Sequence, residues 1–417
     1  MQRLIVRGLA PILVVYVALV PLDPLIRIYS GQRFVSSTAL MVLMIIATAL
    51  LLRRVTWSLQ YLPLCMLLLW SGFSVLWAGD ITGSSLRFVL FGYAIVGTIV
   101  AGSLVAMSSL RMKVLANWYI ASCILLAVGA LFWYFQYGSL FAGDRVSIDE
   151  LNPSWLSAFL ALAAILQIDQ LASHRRQFLG YLILALLIAL LILTQGRNAI
   201  IALVLAVVVT GLLLGAPRTI RFLRTLVLGR SSGSWLLLLL PVVLLVVLLL
   251  HLLGFGLYDF SRLWELFSGD PAVATANRTT IWGNYLTLDT NPIVGEGLGS
   301  ASSLYERAIG EKLMPHNAYL LIYIEMGMVG VFFYLMFMFS LVIVPWAVGH
   351  HEVRLLTMVA AFIVFLGAGN DVIQYRYYWI AVMFYFFVFF QREPRKLTIA
   401  PSLARRHVLS QRSGADV

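Results

Sequence analysis

The chain has 417 residues, of which 61% are hydrophobic and 11% charged, and its mean hydropathy is +0.94. Soluble globular proteins carry roughly 45–50% apolar and about 25% charged residues, so this composition has no water-facing fold to hide in and reads as an integral membrane protein. A secreted enzyme, a disordered chain and a nucleic-acid binder are excluded as the main body, and the formal charge of +11 becomes a question of which side of the membrane the cations occupy.

A spanning helix needs about 20 mostly apolar residues. Such stretches fall near 4–22, 34–52, 59–78, 86–106, 114–137, 153–171, 178–194, 198–214, 234–257, 317–347, 355–373 and 377–391. The expectation is an all-α polytopic membrane protein with about twelve transmembrane helices. Arg3 and Arg7 precede the first apolar run without a small-residue cleavage site, so this run is expected to be a spanning helix, with a cleaved signal peptide as the alternative. The apolar stretch 178–214 is interrupted by Thr194-Gln195-Gly196-Arg197-Asn198, and Gly beside a charged residue predicts a tight turn between two helices. Cys65 and Cys123 both lie inside apolar segments and form no CxxC or metal spacing. They read as small core residues.

Orientation follows from the loops. Arg53/Arg54, Arg111/Lys113, Arg175/Arg176, Arg218–Arg230, Arg354 and the basic tail alternate with a set holding most acids, from Asp23 and Asp80 to Glu306 and Glu311. The positive-inside rule then puts both termini in the cytoplasm, with 392–417 as a basic cytoplasmic tail. Residues 258–316 form the one long loop, on the outer face. Long loops are usually functional. The organisation expected is a single transmembrane domain over 1–391, with 258–316 as an outer cap containing short helices.

The chemistry-bearing residues gather at that face. Met314-Pro315-His316-Asn317 joins the long loop to the next span. At about 100° per residue, Gly327 lies some 20° from His316 and Gly330 some 40° to the other side. One helix face would then carry the histidine above two glycines that admit a close helix crossing. A histidine side chain titrates near neutrality and, when neutral, accepts a proton; it can equally be an interfacial anchor. Arg197 either caps the preceding helix, where a cation suits the dipole, or meets an anion from an outer cavity. Thr275 or Asn277 can cap a helix on which Arg278, Trp282 and Tyr285 share a face. That helix is either an anion site or an amphipathic segment with a snorkelling Arg. Asn291–Gly299 is a glycine-rich run that by itself reads as a turn. Arg145 has Asp144 and Asp149 beside it and reads first as a local ion pair. Glu325 lies about 13 Å below His316 on the opposite face, where a buried partner, Arg or Tyr, is expected. Walker, HExxH and GxSxG motifs are lacking. Few ionisable residues lie deep in spans and no repeat is evident, which disfavours a transporter or lipid flippase.

Read together, these stretches resemble the O-antigen ligase and polymerase superfamily of bacterial envelope glycosyltransferases. Thr194-Gln195-Gly196-Arg197 resembles the family's threonine-to-arginine turn, with Gly196 where serine is common. Arg278 with Trp282 resembles its Arg-x-x-x-Trp loop helix, and Pro292–Gly299 its Pro-x-x-Gly-x-Gly-x-Gly stretch. His316-Asn317, nine residues, then Gly327-x-x-Gly330 resembles the ligase signature, the most specific of the four. The resemblance implies a GT-C-like fold in the bacterial inner membrane with the site facing the periplasm. It implies two partners among the membrane lipids: a glycan donor on undecaprenyl pyrophosphate and a lipid A–core acceptor. No nucleic acid, cofactor or metal is expected. It further implies His316 as general base and Arg197, Arg278 and Arg145 as pyrophosphate ligands. Asn317, Trp282, Tyr285, Gly327 and Gly330 are implied as support, with Trp282 and Tyr285 able to stack on sugar or prenyl chain. A polymerase extending another lipid-linked glycan is the near alternative. A protein O-oligosaccharyltransferase is disfavoured because the stretch after the last span is short and basic.

Overall fold

The computed structural model describes residues 2–30, 35–49, 58–108, 110–137, 152–173, 178–214, 277–350, 352–370 and 376–391. The expected span 234–257, the first part of the long loop, Arg145, Thr275 and the basic tail lie outside the described residues.

Among the described residues the fold is all-helical. The first half comprises α1 (Gln2–Ser30), α2 (Val35–Ala49), α3 (Tyr61–Ser74), α4 (Ile81–Met107), α5 (Met112–Tyr137), α6 (Pro153–Ser173), α7 (Phe178–Leu193) and α8 (Arg197–Leu214). Two short helices come next, α9 (Arg278–Leu286) and α10 (Ala301–Ile309). The chain then runs through α11 (Ala318–Ala347), α12 (Val353–Ala368) and α13 (Arg376–Phe390). Every expected span within the described residues coincides with a helix. Among the described residues, 6 helices are long and apolar enough to cross a membrane, while Tyr61–Trp77, Phe178–Leu193, Val353–Ala368 and Arg376–Phe390 are shorter apolar helices.

The helices bury apolar side chains against one another and leave other large apolar side chains on their outward faces. Leu43, Ile46, Leu69, Phe73, Leu212 and Phe339 are exposed on helix faces. A water-soluble protein would not leave so much apolar surface uncovered, and lipid is the solvent that suits it. The centre is formed by α13, whose residues Tyr377–Val388 are all buried, and by the largely enclosed α6. Around them α8 packs along α12, α1 along α5, α3 along α11 and α4 along α13.

Charged groups inside this bundle are paired. Arg376 at the start of α13 pairs with Asp23 near the end of α1. Arg354 at the start of α12 holds Asp169 of α6, with Nη2 at 2.5 Å and Nε at 3.1 Å from Oδ1. Charge left unpaired at membrane depth is costly, so each pair joins helix ends at a common level.

Candidate active site

The turn between α7 and α8 is built by its own side chains. Thr194 Oγ1 donates to the Leu191 carbonyl at 2.7 Å and accepts from Gly196 N at 3.3 Å. Gln195 takes a left-handed φ of 48°. A side chain at 196 would collide with Ser157 Oγ on α6, which explains glycine where the resemblance expects serine. Arg197 opens α8 and is 9% exposed.

Asn198, the next residue, reaches across to the end of α12. Its Nδ2 donates to the Gly369 carbonyl and, at 3.3 Å, to Asn370 Oδ1. The same Gly369 carbonyl accepts from Arg278 Nη1 at 2.6 Å. A helix C-terminus presents unpaired carbonyls and the negative end of the dipole, so cationic and amide donors gather there. Asn198, the neighbour of Arg197, and Arg278, 80 positions apart in the sequence, thereby meet at one carbonyl.

One turn along α9, Trp282 Nε1 donates to the Pro315 carbonyl at 2.6 Å. Arg278 and Trp282 are about 6 Å apart along the helix axis, so α9 bridges the Asn198–Gly369 cluster and the Pro315-His316 corner. His316 is held at φ 50°, a conformation uncommon outside glycine and costing roughly 1–3 kcal/mol. Asn317 fixes the start of the next helix: its Oδ1 accepts from Tyr319 N at 3.0 Å and Leu320 N at 3.1 Å, capping α11.

Several expectations need correction. Gly327 and Gly330 do not form a helix crossing. Gly327 takes φ 64° and ψ −167° and breaks α11. Into this break fits the Pro292–Gly299 run, with Glu296 N on the Ile324 carbonyl at 2.8 Å, Gly297 N on Glu325 O at 2.9 Å and Met328 N on Pro292 O at 2.9 Å. Trp70 Nε1 takes the Met326 carbonyl at 2.8 Å. The broken helix thus regains the hydrogen bonds it loses, as backbone inside a membrane protein must. A Cβ at Gly295 would lie 2.6 Å from Gly327 N, and one at Gly327 would strike the Ile293 carbonyl. Gly330 instead faces Met326 and Ile322 of its own helix.

Tyr285 is 1% exposed, donates to Leu313 O at 2.7 Å and packs tilted against Tyr305 with centroids 4.7 Å apart. It anchors α9 to α10 and cannot stack on a substrate. Asn277 precedes α9 with φ 62° and makes no side-chain cap.

Glu325 has the expected arginine partner, Arg87 of α4, with Nη1 to Oε1 at 3.4 Å. Residues Asn198, Gly369, Asn370 and Arg87 escaped sequence reasoning, because a polar residue at a helix end has no local signature of what it meets across the bundle.

The arrangement is chemically specific. Guanidinium groups fit phosphate oxygens with two parallel N–H donors, and an imidazole can accept a proton from a hydroxyl brought within reach. Fold and site define a polytopic, all-helical membrane protein whose polar cluster lies at helix ends, around one loop helix and one broken helix. Residues 182–335 match the family model described as O-Antigen ligase, a stretch holding Arg197, Arg278, Trp282 and His316. Over that stretch the chain is similar to the O-antigen ligase family, and the match points to a function of the O-antigen ligase/polymerase type. No curated protein matches the chain.

Proposed function

We propose that the protein transfers a preassembled glycan from undecaprenyl pyrophosphate to a hydroxyl of the lipid A–core oligosaccharide, at the periplasmic face of the inner membrane. The pyrophosphate is already a good leaving group. The remaining tasks are to take a proton from the acceptor and to stabilise charge on the departing diphosphate. His316 removes the acceptor proton. The acceptor oxygen then attacks the anomeric carbon from the face opposite the C1–O bond to pyrophosphate, which breaks with inversion. Arg197 and Arg278 hold the diphosphate through both states, with Arg145 as a third ligand. Trp282 positions the His316 corner, and the cap 258–316 selects the acceptor over a single membrane domain of about twelve spans.

The observation that carries this reading is the α9 bridge. One helical turn links the Arg278–Gly369–Asn198 cluster to the carbonyl preceding His316. This link supports a reading in which a phosphate-binding arginine and a proton acceptor lie close enough for displacement at an activated sugar. The histidine-to-glycine spacing favours the lipid A–core acceptor over a second lipid-linked glycan.

The test is reconstitution with a defined undecaprenyl-pyrophosphate glycan, offering core lipid, a second lipid-linked glycan and a peptide in parallel, with and without chelator. Transfer to core lipid that chelator does not affect is expected. Chain extension alone identifies a polymerase, and a strict metal requirement overturns the arginine scheme.

A further inference from the structure

One group at the arginine junction has no part in the transfer scheme. Asn370, just past the end of α12, is 6% exposed. Its Oδ1 accepts from Asn198 Nδ2 at 3.3 Å, and this contact sets the amide's orientation, because a flipped amide would oppose two donors. Its own Nδ2 is therefore turned from Asn198, and it is buried with no hydrogen-bond partner among the described residues. Buried donors are nearly always satisfied, and one left unmade is destabilising. Such a group sits most naturally where a ligand completes it. The surroundings say which kind: Asn370 adjoins the carbonyl that Arg278 and Asn198 share, so an anion held by Arg278 lies within reach, and an N–H donor suits it.

We infer that Asn370 is a donor-binding residue, its Nδ2 giving a neutral hydrogen bond to a phosphate oxygen of the lipid diphosphate held by Arg197 and Arg278. This rests on the transferase reading. The amide adds what the guanidinium groups lack: a directional donor without charge, placed just past the end of a largely buried helix. It would fix the rotation of the diphosphate, and hence the line of the bond to be broken.

Binding of undecaprenyl pyrophosphate to the purified, detergent-solubilised full chain tests this directly. The wild type, Arg278→Ala, Asn370→Ala and Asn370→Asp are compared, each checked for folding by thermal unfolding. Asn370→Ala removes the donor and should weaken binding about tenfold. Asn370→Asp keeps the oxygen facing Asn198 but sets a carboxylate against the phosphate, and should weaken binding further, about a hundredfold. A merely structural Asn370 predicts the reverse order, with the aspartate near wild type because the Asn198 contact survives. That order, or wild-type binding in Asn370→Ala, overturns the inference. If Asp is the variant that fails to fold, Asn370→Ala decides alone, on the same tenfold criterion. Loss of binding in Arg278→Ala with none in the Asn370 variants sinks the inference and leaves the transferase reading standing. A wild type that binds no lipid diphosphate overturns both.

Discussion

His316 concentrates the residue-scale chemistry. It is a non-glycine residue in the left-handed region, placed between a proline whose carbonyl is taken by Trp282 and an asparagine that caps the next helix. Its backbone is over-determined from both sides, which is how a strained conformation persists. His316→Ala is expected to lower glycan transfer by at least about 10²-fold, the low end of a general base's contribution, with normal membrane insertion. Transfer at wild-type rate in purified protein would remove the histidine from the mechanism. Arg278 makes a second case. A lysine there keeps the charge but cannot both donate to Gly369 and offer a planar fork to phosphate. Arg278→Lys should lose most turnover at constant protein level; retained kcat/KM would reduce Arg278 to a brace for the α12 terminus.

The break in α11 belongs to the scale of elements. A 30-residue helix interrupted at membrane depth is tolerable only because the Pro292–Gly299 run supplies replacement hydrogen bonds. Helix and run therefore form one unit, placing His316 at a set height above the pair Arg87–Glu325. Gly327→Ala forces a Cβ into the Ile293 carbonyl at a φ that suits glycine. Left-handed strain and overpacking each cost about 1–3 kcal/mol, so thermal unfolding in detergent should show a large drop, and an unchanged midpoint would disprove the docking. Glu325 is enclosed, with 2% of its side chain exposed, while Arg87 is 32% exposed. Arg87→Met removes one partner of a buried carboxylate; water reaching the partly exposed site limits the loss to about 1–3 kcal/mol. Adding Glu325→Gln should recover most of it, and an additive double variant would show that the two do not interact.

At the scale of the whole molecule, the outward apolar belt and the paired interior charges make lipid the solvent. The alternation of basic and acidic loops makes a definite prediction about sides. With Cys65 and Cys123 replaced, a cysteine at Ser303 on α10 should react with a membrane-impermeant maleimide in intact spheroplasts, and one at Arg111 should react only after permeabilisation. The reverse pattern would invert the topology and place the arginine cluster in the cytoplasm.

Helix positions, the turn at Arg197 and the loop helix at Arg278 were legible because they depend on local quantities. Apolar run length determines where a helix lies, and glycine beside charge marks a turn. The same holds for Asn317 as a cap, since capping acts within three residues. Other features depend on neighbours remote in the chain. Gly327 reads as a packing glycine until a run some thirty residues earlier is seen lying in the break it makes. Tyr285 reads as a site aromatic until the Leu313 and Ala301 carbonyls claim its hydroxyl. Composition and periodicity alone determined that this chain lives in a membrane as a helical bundle, because the hydrophobic effect acts on each residue's own surface. Only the tertiary structure decided that Asn198, Arg278 and Gly369 meet, and that α9 carries their cluster to the edge of His316, because hydrogen bonds are directional and need both partners in place.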